Sequence, residues 1–319
     1  MNTMKNGDEQ TEGILDEQPI EELFLLHLRY KEAQLVEAGS NHPILLNDKN
    51  LAWVVYSGRV DVFAVELADG RVAGPRIHLF RVEAGQALWG MDFARSGGKI
   101  GLLAVGNKDT RLLKVRANRL QALSQDEEFC LPVVTMLERW VAQLSHCLSS
   151  TLPPKDCLNL EAGQDTAVTS HSHASTRRGI VWVEHIEGKS YFMSQPQFAV
   201  NGQGYTPLST HTWIETTGDC HIRVQETAGF LTDDPAWSAL ADFHQLVLEH
   251  VWQSARRKDQ DDQKQLQNRI ITNQDTLHTA LARLAAPFPH QTIKILLRGG
   301  KKFSCRPALW WQKNWALHL

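Results

Sequence analysis

Apolar and polar positions alternate with a period of two in "LAWVVYSGRVDVFAVEL", Leu51 to Leu67. Val54 and Tyr56, then Val60, Val62 and Ala64, mark one face on each side of Ser57-Gly58. The alternation predicts two half-buried strands, and the Ser-Gly pair between them predicts a hairpin turn. Strand patterns continue through "RIHLFRVEAGQALWGM" and "GLLAVGNKDTRLLKVRA", with turn residues at Asp69-Gly70, Gly85, Gly97-Gly98 and Asn107. Many short strands at this spacing predict a sandwich or a small jelly roll. Helical periods flank them. In "PIEELFLLHLRYKEAQLVEAG", Leu23, Leu25, Leu26, Leu28 and Leu35 among Glu and Lys predict an amphipathic helix ending near Gly39. In "LQALSQDEEFCLPVVTMLERWVAQLSHCLS", Val134, Leu137, Val141 and Leu144 share a face and predict a helix that closes the first domain. "SSTLPPKD" ends it, because consecutive prolines cannot continue a helix.

The layout then recurs. "RGIVWVEHIEGKSYFMS" is again strand, Gly-containing turn, strand, and "LSTHTWIETTGDCHIRVQET" matches the later part of the first domain, which predicts a degenerate internal repeat of one β fold. From Pro235 to about Ala286 the period becomes helical, with one apolar stripe at Leu240, Phe243, Val247 and Val251 and another at Leu266, Ile270, Leu277, Leu281 and Leu284. Between them "SARRKDQDDQKQ" has almost nothing to bury. We expect a solvated helix or helical hairpin between packed ends; the sharper alternative is a dimerising or transmitting helix. From Pro287 to Leu319 the chain has six Lys or Arg, no Asp or Glu, and Trp310, Trp311 and Trp315. Such a tail suits a membrane interface. Without a sustained helical stripe, we read it instead as a terminus under little structural selection. The chain thus divides into an acidic segment and amphipathic helix (1–45), a β domain with closing helix (46–150), a linker (151–177), a degenerate β domain (178–233), a long helical segment (235–286) and a basic tail (287–319).

Composition narrows the function. With 319 residues, 42% of them hydrophobic, the chain can bury a sizeable core, and its length predicts two or three domains. Its 33 basic and 36 acidic residues leave a formal charge of −3, so no global positive field draws nucleic acid or anionic lipid. Cys130, Cys147, Cys157, Cys220 and Cys305 are scattered, with no CxxC, which favours a reducing compartment and hence the cytoplasm. The start, "MNTMKNGDEQTEGILDEQP", is polar and acidic where an export signal would be basic and then apolar. No apolar run approaches the roughly 18 residues that cross a bilayer.

The segments "SGRVDVFAVE", "VEAGQALWGMDF" and "GLLAVGNKDTRLLKV" stand in the order and rough spacing of the hairpin, phosphate cassette and closing strands of the cyclic-nucleotide-binding fold, which the first β domain resembles. More narrowly, "VVYSGRVDVFAVELADGRVAGPRIHLFRVEAGQALWGMD" is similar to the N-terminal region of permease/ATPase subunits of NHLP-type (nitrile hydratase leader peptide) bacteriocin exporters. These are ABC transporters in which such a domain precedes the membrane helices. The resemblance covers Leu25 to Ala286. It implies an α+β chain of two jelly-roll domains of cyclic-nucleotide-binding type (double-stranded β-helices), with flanking helices and a long C-terminal helix.

That fold's nucleotide binders use a Gly-Glu pair and a following Arg in the cassette. Here Gly90 is present, Met91 stands at the Glu position with Asp92 beside it, and the Arg position falls near Gly101. Arg95 and Lys99 lie in the intervening loop, so the candidate ligand contacts are Gly90, Asp92, Arg95 and Lys99. A phosphate without its bidentate arginine loses its strongest contact, and protein docking is the stronger expectation. His171 and His173, with His185 and Cys157 nearby, have the His-X-His spacing that can put two imidazoles on one strand face. The surrounding "TAVTSHSHAST" reads as a polar linker and the rest of a cupin ligand set is missing, so we expect solvated histidines and no metal. No GxxxxGK[ST] or GxSxG occurs, and "RRKDQDDQK" has no helix-turn-helix beside it.

These features give a non-catalytic cytosolic module with no cofactor: the regulatory or cargo-docking region of a peptide exporter, lacking the membrane and ATPase parts. Its expected partners are those parts or the leader of an exported peptide. A second copy could join through the 235–286 helix, and the inner membrane face through the tail. The alternative is a cyclic-nucleotide-type sensor signalling through the long helix.

Overall fold

A computed structural model describes residues 20–92, 97–148, 153–201, 204–232, 236–285, 293–296 and 302–305. The chain divides into two units, Met1–Gln253 and Ser254–Leu319.

The first unit opens with α1 (Ile20–His27), a π turn (Leu28–Glu32) and then strand β1 (Gln34–Glu37). The predicted helix therefore stops short of Gly39, and Leu35 sits in β1, where it pairs with Leu113. Seven strands follow: β2 (Ile44–Leu45), β3 (Leu51–Ser57), β4 (Arg59–Ala68), β5 (Arg71–Glu83), β6 (Ala87–Trp89), β7 (Ile100–Gly106) and β8 (Arg111–Arg116). They form two four-stranded sheets, in the orders β1-β8-β3-β6 and β2-β7-β4-β5. Helices α2 (Ala117–Leu123) and α3 (Cys130–His146) close this sandwich, with Leu137, Val141 and Leu144 buried as the helical period predicts.

The predicted hairpin is not one. β3 pairs with β6 and β8, whereas β4 pairs with β5 and β7, so Ser57-Gly58 carries the chain from one sheet into the other. Gly58 has φ 85°, and a Cβ there would press on the Thr110 side chain. That hydroxyl locks the corner by donating to the Arg59 carbonyl at 3.1 Å.

The second set contains β9 (Leu158–Asn159), β10 (Gln164–Val168), β11 (His173–Ser175), β12 (Val181–Glu187), β13 (Lys189–Phe192), β14 (Ala199–Asn201), β15 (Tyr205–Leu208), β16 (Ile214–Thr216) and β17 (Cys220–Glu226). Its sheets run β10-β17-β12-β15 and β14-β13-β16-β11-β9. With β9 set aside as an added parallel edge, each strand from β10 to β17 occupies the place of its counterpart from β1 to β8. The predicted repeat is thus a repeat of strand order. Even the corner recurs: Gly188 has φ 90°, and the Cys220 thiol donates to the Lys189 carbonyl at 3.1 Å where Thr110 serves Arg59. Residues 151–177, expected as a linker, hold β9, β10 and β11, so the second sandwich begins before residue 178.

Helix α4 (Thr227–Phe230) leads to α5 (Ala236–Ala285), whose Leu240, Phe243, Val247 and Val251 are buried in the first unit. One core runs through both sandwiches and this part of α5. In the second unit α5 is unbroken helix, not a helical hairpin. Leu266, Ile270, Ile271 and Leu277 on it are 60%, 50%, 55% and 47% exposed. Strands β18 (Ile293–Leu296) and β19 (Lys302–Cys305) pair antiparallel within the segment expected as a tail, while its three tryptophans lie outside the described residues. Among the described residues no helix is long and apolar enough to cross a membrane.

Candidate functional site

The expected ligand cassette joins β6 to β7. Gly90 packs so closely on the turn before β3 that a Cβ would overlap the Asp48 carbonyl oxygen, and its N–H donates to Leu51 at 2.9 Å. Met91 is buried, with its N–H donating to the Leu46 carbonyl at 3.0 Å. Asp92 accepts from Lys49 Nζ at 2.9 Å. Gly90 and Asp92 are therefore held against the 48–51 turn, whereas Lys99 is exposed and its carbonyl accepts from the Leu67 N–H at 2.8 Å, beside the end of β4. Arg95 lies outside the described residues. Gly101, at the family's Arg position, is buried in β7. In the second sandwich the matching β15–β16 connection is tight. The Ser209 N–H donates to Thr212 Oγ1 at 2.8 Å, and the Ser175 hydroxyl donates to the Thr212 carbonyl at 2.7 Å.

The histidines do not converge. His171 takes a left-handed backbone (φ 56°) in the β10–β11 turn, and His173 on β11 lies 3.8 Å from the Glu215 carboxylate. His185, expected in solvent, is buried on β12 with Nε2 2.9 Å from Ser190 Oγ, and burial pushes its pKa down to about 4. Cys157 is half-buried, and burial raises its thiol pKa. Among the described residues no three His, Cys, Asp or Glu side chains could together hold a metal ion.

What the fold does assemble is a polar stitching between the two sandwiches and the start of α5. Trp237 stacks on Trp89 with ring centroids 5.0 Å apart, and its indole N–H donates to Gln121 Oε1 at 2.9 Å. Gln121 passes its own amide N–H to the Leu231 carbonyl at 3.0 Å. Deeper in, His244 is fully buried and accepts the Trp140 indole N–H on Nε2 at 2.7 Å. Burial holds the His244 pKa down to about 3, so the ring is neutral and carries its proton on Nδ1. One turn after Leu246, His250 Nδ1 meets the Gln195 side chain of the second sandwich at 3.1 Å. Between α3 and α4, Glu138 hydrogen-bonds Thr227, and burial raises its carboxyl pKa despite that bond. Thr227 also accepts from the Trp182 indole at 3.1 Å. Sequence reasoning placed the stripe of α5 but missed these partners. The available signal was the tryptophans, whose N–H groups seek acceptors when buried.

Beside this seam a cavity of about 330 Å³ opens between β14, β15 and α5. Phe198, Tyr205 and Phe243 form its apolar wall, and Asp242 and Glu249 stand on its helical side.

No family model matches the chain, and no curated protein matches it. Solved structures similar to it include the haem domain of CooA from Carboxydothermus hydrogenoformans (18% identity over 40% of this chain and 89% of that one, TM-score 0.27). Another is the catabolite activator protein of Thermus thermophilus (19% identity, 45% and 74% covered, TM-score 0.28). A third is the regulatory domain of Toxoplasma gondii PKA with cAMP (13% identity, 66% and 84% covered, TM-score 0.21). At these scores the description of the fold rests on the strand order of the chain itself.

Proposed function

We propose that this chain is a non-catalytic regulatory module of two tandem jelly rolls whose state is relayed through α5. One observation carries the reading. The start of α5 is stitched into both sandwiches through Trp237, His244 and His250, while the same helix goes on to expose Leu266, Ile270 and Leu277. Apolar positions at three- and four-residue steps suit a helical partner, and a second copy presents the same stripe. The module therefore works as a homodimer joined along the second half of α5. The finer reading, that it serves a peptide exporter by docking on its membrane and ATPase parts or on a cargo leader at the cytosolic face, rests on the sequence resemblance.

Sedimentation of the full chain across the micromolar range tests this. We expect a dimer for the natural chain and a monomer for the Leu266→Ser, Ile270→Ser, Leu277→Ser variant, with unfolding of the sandwiches unchanged. A natural chain that stays monomeric overturns the reading.

A nucleotide-type sensor is the second reading. It is favoured by Lys99, a candidate anion contact that is exposed just ahead of β7.

A further inference from the structure

Beside the corner of the first sandwich, side chains from the π turn, β3 and β8 meet in the order Tyr30, Arg29, Tyr56, Arg111. The Arg29 guanidinium lies 5.3 Å from the centre of the Tyr30 ring and 5.0 Å from that of Tyr56, and the Arg111 guanidinium lies 5.5 Å from Tyr56. A bulge allows this. Val55 pairs with Leu112 and Ser57 with Arg111, so Tyr56 is the extra residue, and both it and Ser57 reach Arg111. Arg29 Nη1 donates to the Tyr56 hydroxyl, and Arg111 Nε donates to Ser57 Oγ at 3.0 Å. Arginine cannot accept, so each hydroxyl keeps its own proton to give, and each guanidinium has further N–H groups. Carboxylates stand nearby without closing the cluster. Glu32 of the π turn is held by Arg119 at 2.7 Å. Among the described residues neither Glu37, opposite Arg111 in the β1–β8 ladder, nor Asp109 forms an ion pair with Arg111.

The second sandwich supplies an internal comparison. It repeats the glycine corner and the bulge, here between His185 and Glu187. Yet Ile186, Glu187 and His221 stand where the first sandwich has Tyr56, Ser57 and Arg111. The corner can therefore be built without the tyrosine, the serine or the arginine.

We infer that Arg29 and Arg111 form a binding site for a phosphate monoester. The two guanidiniums neutralise the dianion, and the Tyr56 and Ser57 hydroxyls donate to its oxygens. Tyr30, 74% exposed, offers a stacking surface to an aromatic carrier of that phosphate. None of these groups belongs to the 90–101 segment, where the family resemblance looks for a phosphate. The site is also independent of the second half of α5, so it stands or falls apart from the dimer.

The test is phosphorus NMR titration of the full chain with phenyl phosphate and, separately, with inorganic phosphate. We expect saturable binding of phenyl phosphate that weakens about tenfold in Arg111→Gln and further when Arg29→Gln is added. Arg111→Lys, which keeps the charge but loses the planar fork, should recover only part of the loss. Ser57→Ala removes a single oxygen and should weaken binding in the same direction, and a circular dichroism melt checks that every variant folds. Tyr30→Ala tells the sources apart: a loss confined to phenyl phosphate assigns a phosphate carried on an aromatic side chain, whereas equal binding of both probes, unchanged by the substitution, assigns the free ion. No saturable binding of either probe, or binding unchanged in the double arginine variant, overturns the inference. So does displacement of phenyl phosphate by equimolar oligothymidylate, which would mark a site for phosphodiesters.

Discussion

Trp140 on α3 and His244 on α5, 104 positions apart in the chain, share a hydrogen bond of 2.7 Å inside the core. The indole can only donate and the buried imidazole must accept, so each is the partner the other needs. Removing one alone strands the other in an apolar setting.

A double-mutant cycle follows from this. Trp140→Phe and His244→Leu should each destabilise the fold by about 2 kcal/mol or more, part of it the cost of a buried group left unpaired. The double variant should lose clearly less than their sum. Urea unfolding of the four proteins measures the coupling, and strict additivity would mean the bond contributes nothing.

Stability should also fall in mild acid. His244 and His185 bind protons near 6.5 when unfolded but only near 3 and 4 when folded. Between those values the unfolded chain holds more protons, so acid favours unfolding. The stabilisation is complete above about pH 6.5 and is lost as pH falls towards the folded values. From pH 7 to pH 5 the loss is roughly 2 kcal/mol per histidine. His244→Phe should flatten the pH profile by about half, and an unchanged profile would remove His244 from the account.

Gly90 separates a ligand role from a packing role. Its Cβ-free approach to the Asp48 carbonyl predicts that Gly90→Ala lowers stability by about 3 kcal/mol, because a backbone carbonyl cannot step aside as a side chain can. Thermal unfolding checks this. A variant as stable as the natural chain would return Gly90 to the list of ligand contacts.

Cyclic AMP and cyclic GMP should leave the melting temperature unchanged, since Gly90 and Asp92 are committed to the 48–51 turn. A ligand at 100 times its dissociation constant would add about 2.7 kcal/mol, which a melt resolves easily. Such a rise would transfer the function to the sensor reading.

The inward faces of the strands were legible in the sequence, and so was the repeat, because alternation and corner glycines are local signals. Pairing was not. Val54 and Val62 announce a buried face, but nothing in "YSGRV" tells a hairpin from a corner between sheets, since φ is positive at the glycine in either case. The segment "TAVTSHSHAST" looked like a linker because β10 is an edge strand with only Val168 fully buried, which leaves no apolar alternation to read. His185 and His244 were opaque for a related reason. Their burial depends on partners far along the chain, and a solvated histidine has the same letter.

The first strand of each sandwich lies against the eighth: Gln34 faces Lys114, and Gln164 faces Val224. Neither sandwich can close until its last strand exists. On a ribosome making the chain from the N-terminus, β1 must wait for nearly the whole first module to emerge. Two modules of identical strand order, tethered together, then offer each waiting strand a wrong eighth partner as well as the right one. The right partner has the advantage of proximity, because the loop that closes β1 on β8 is far shorter than the one that would close it on β17, and a shorter loop costs less entropy to close.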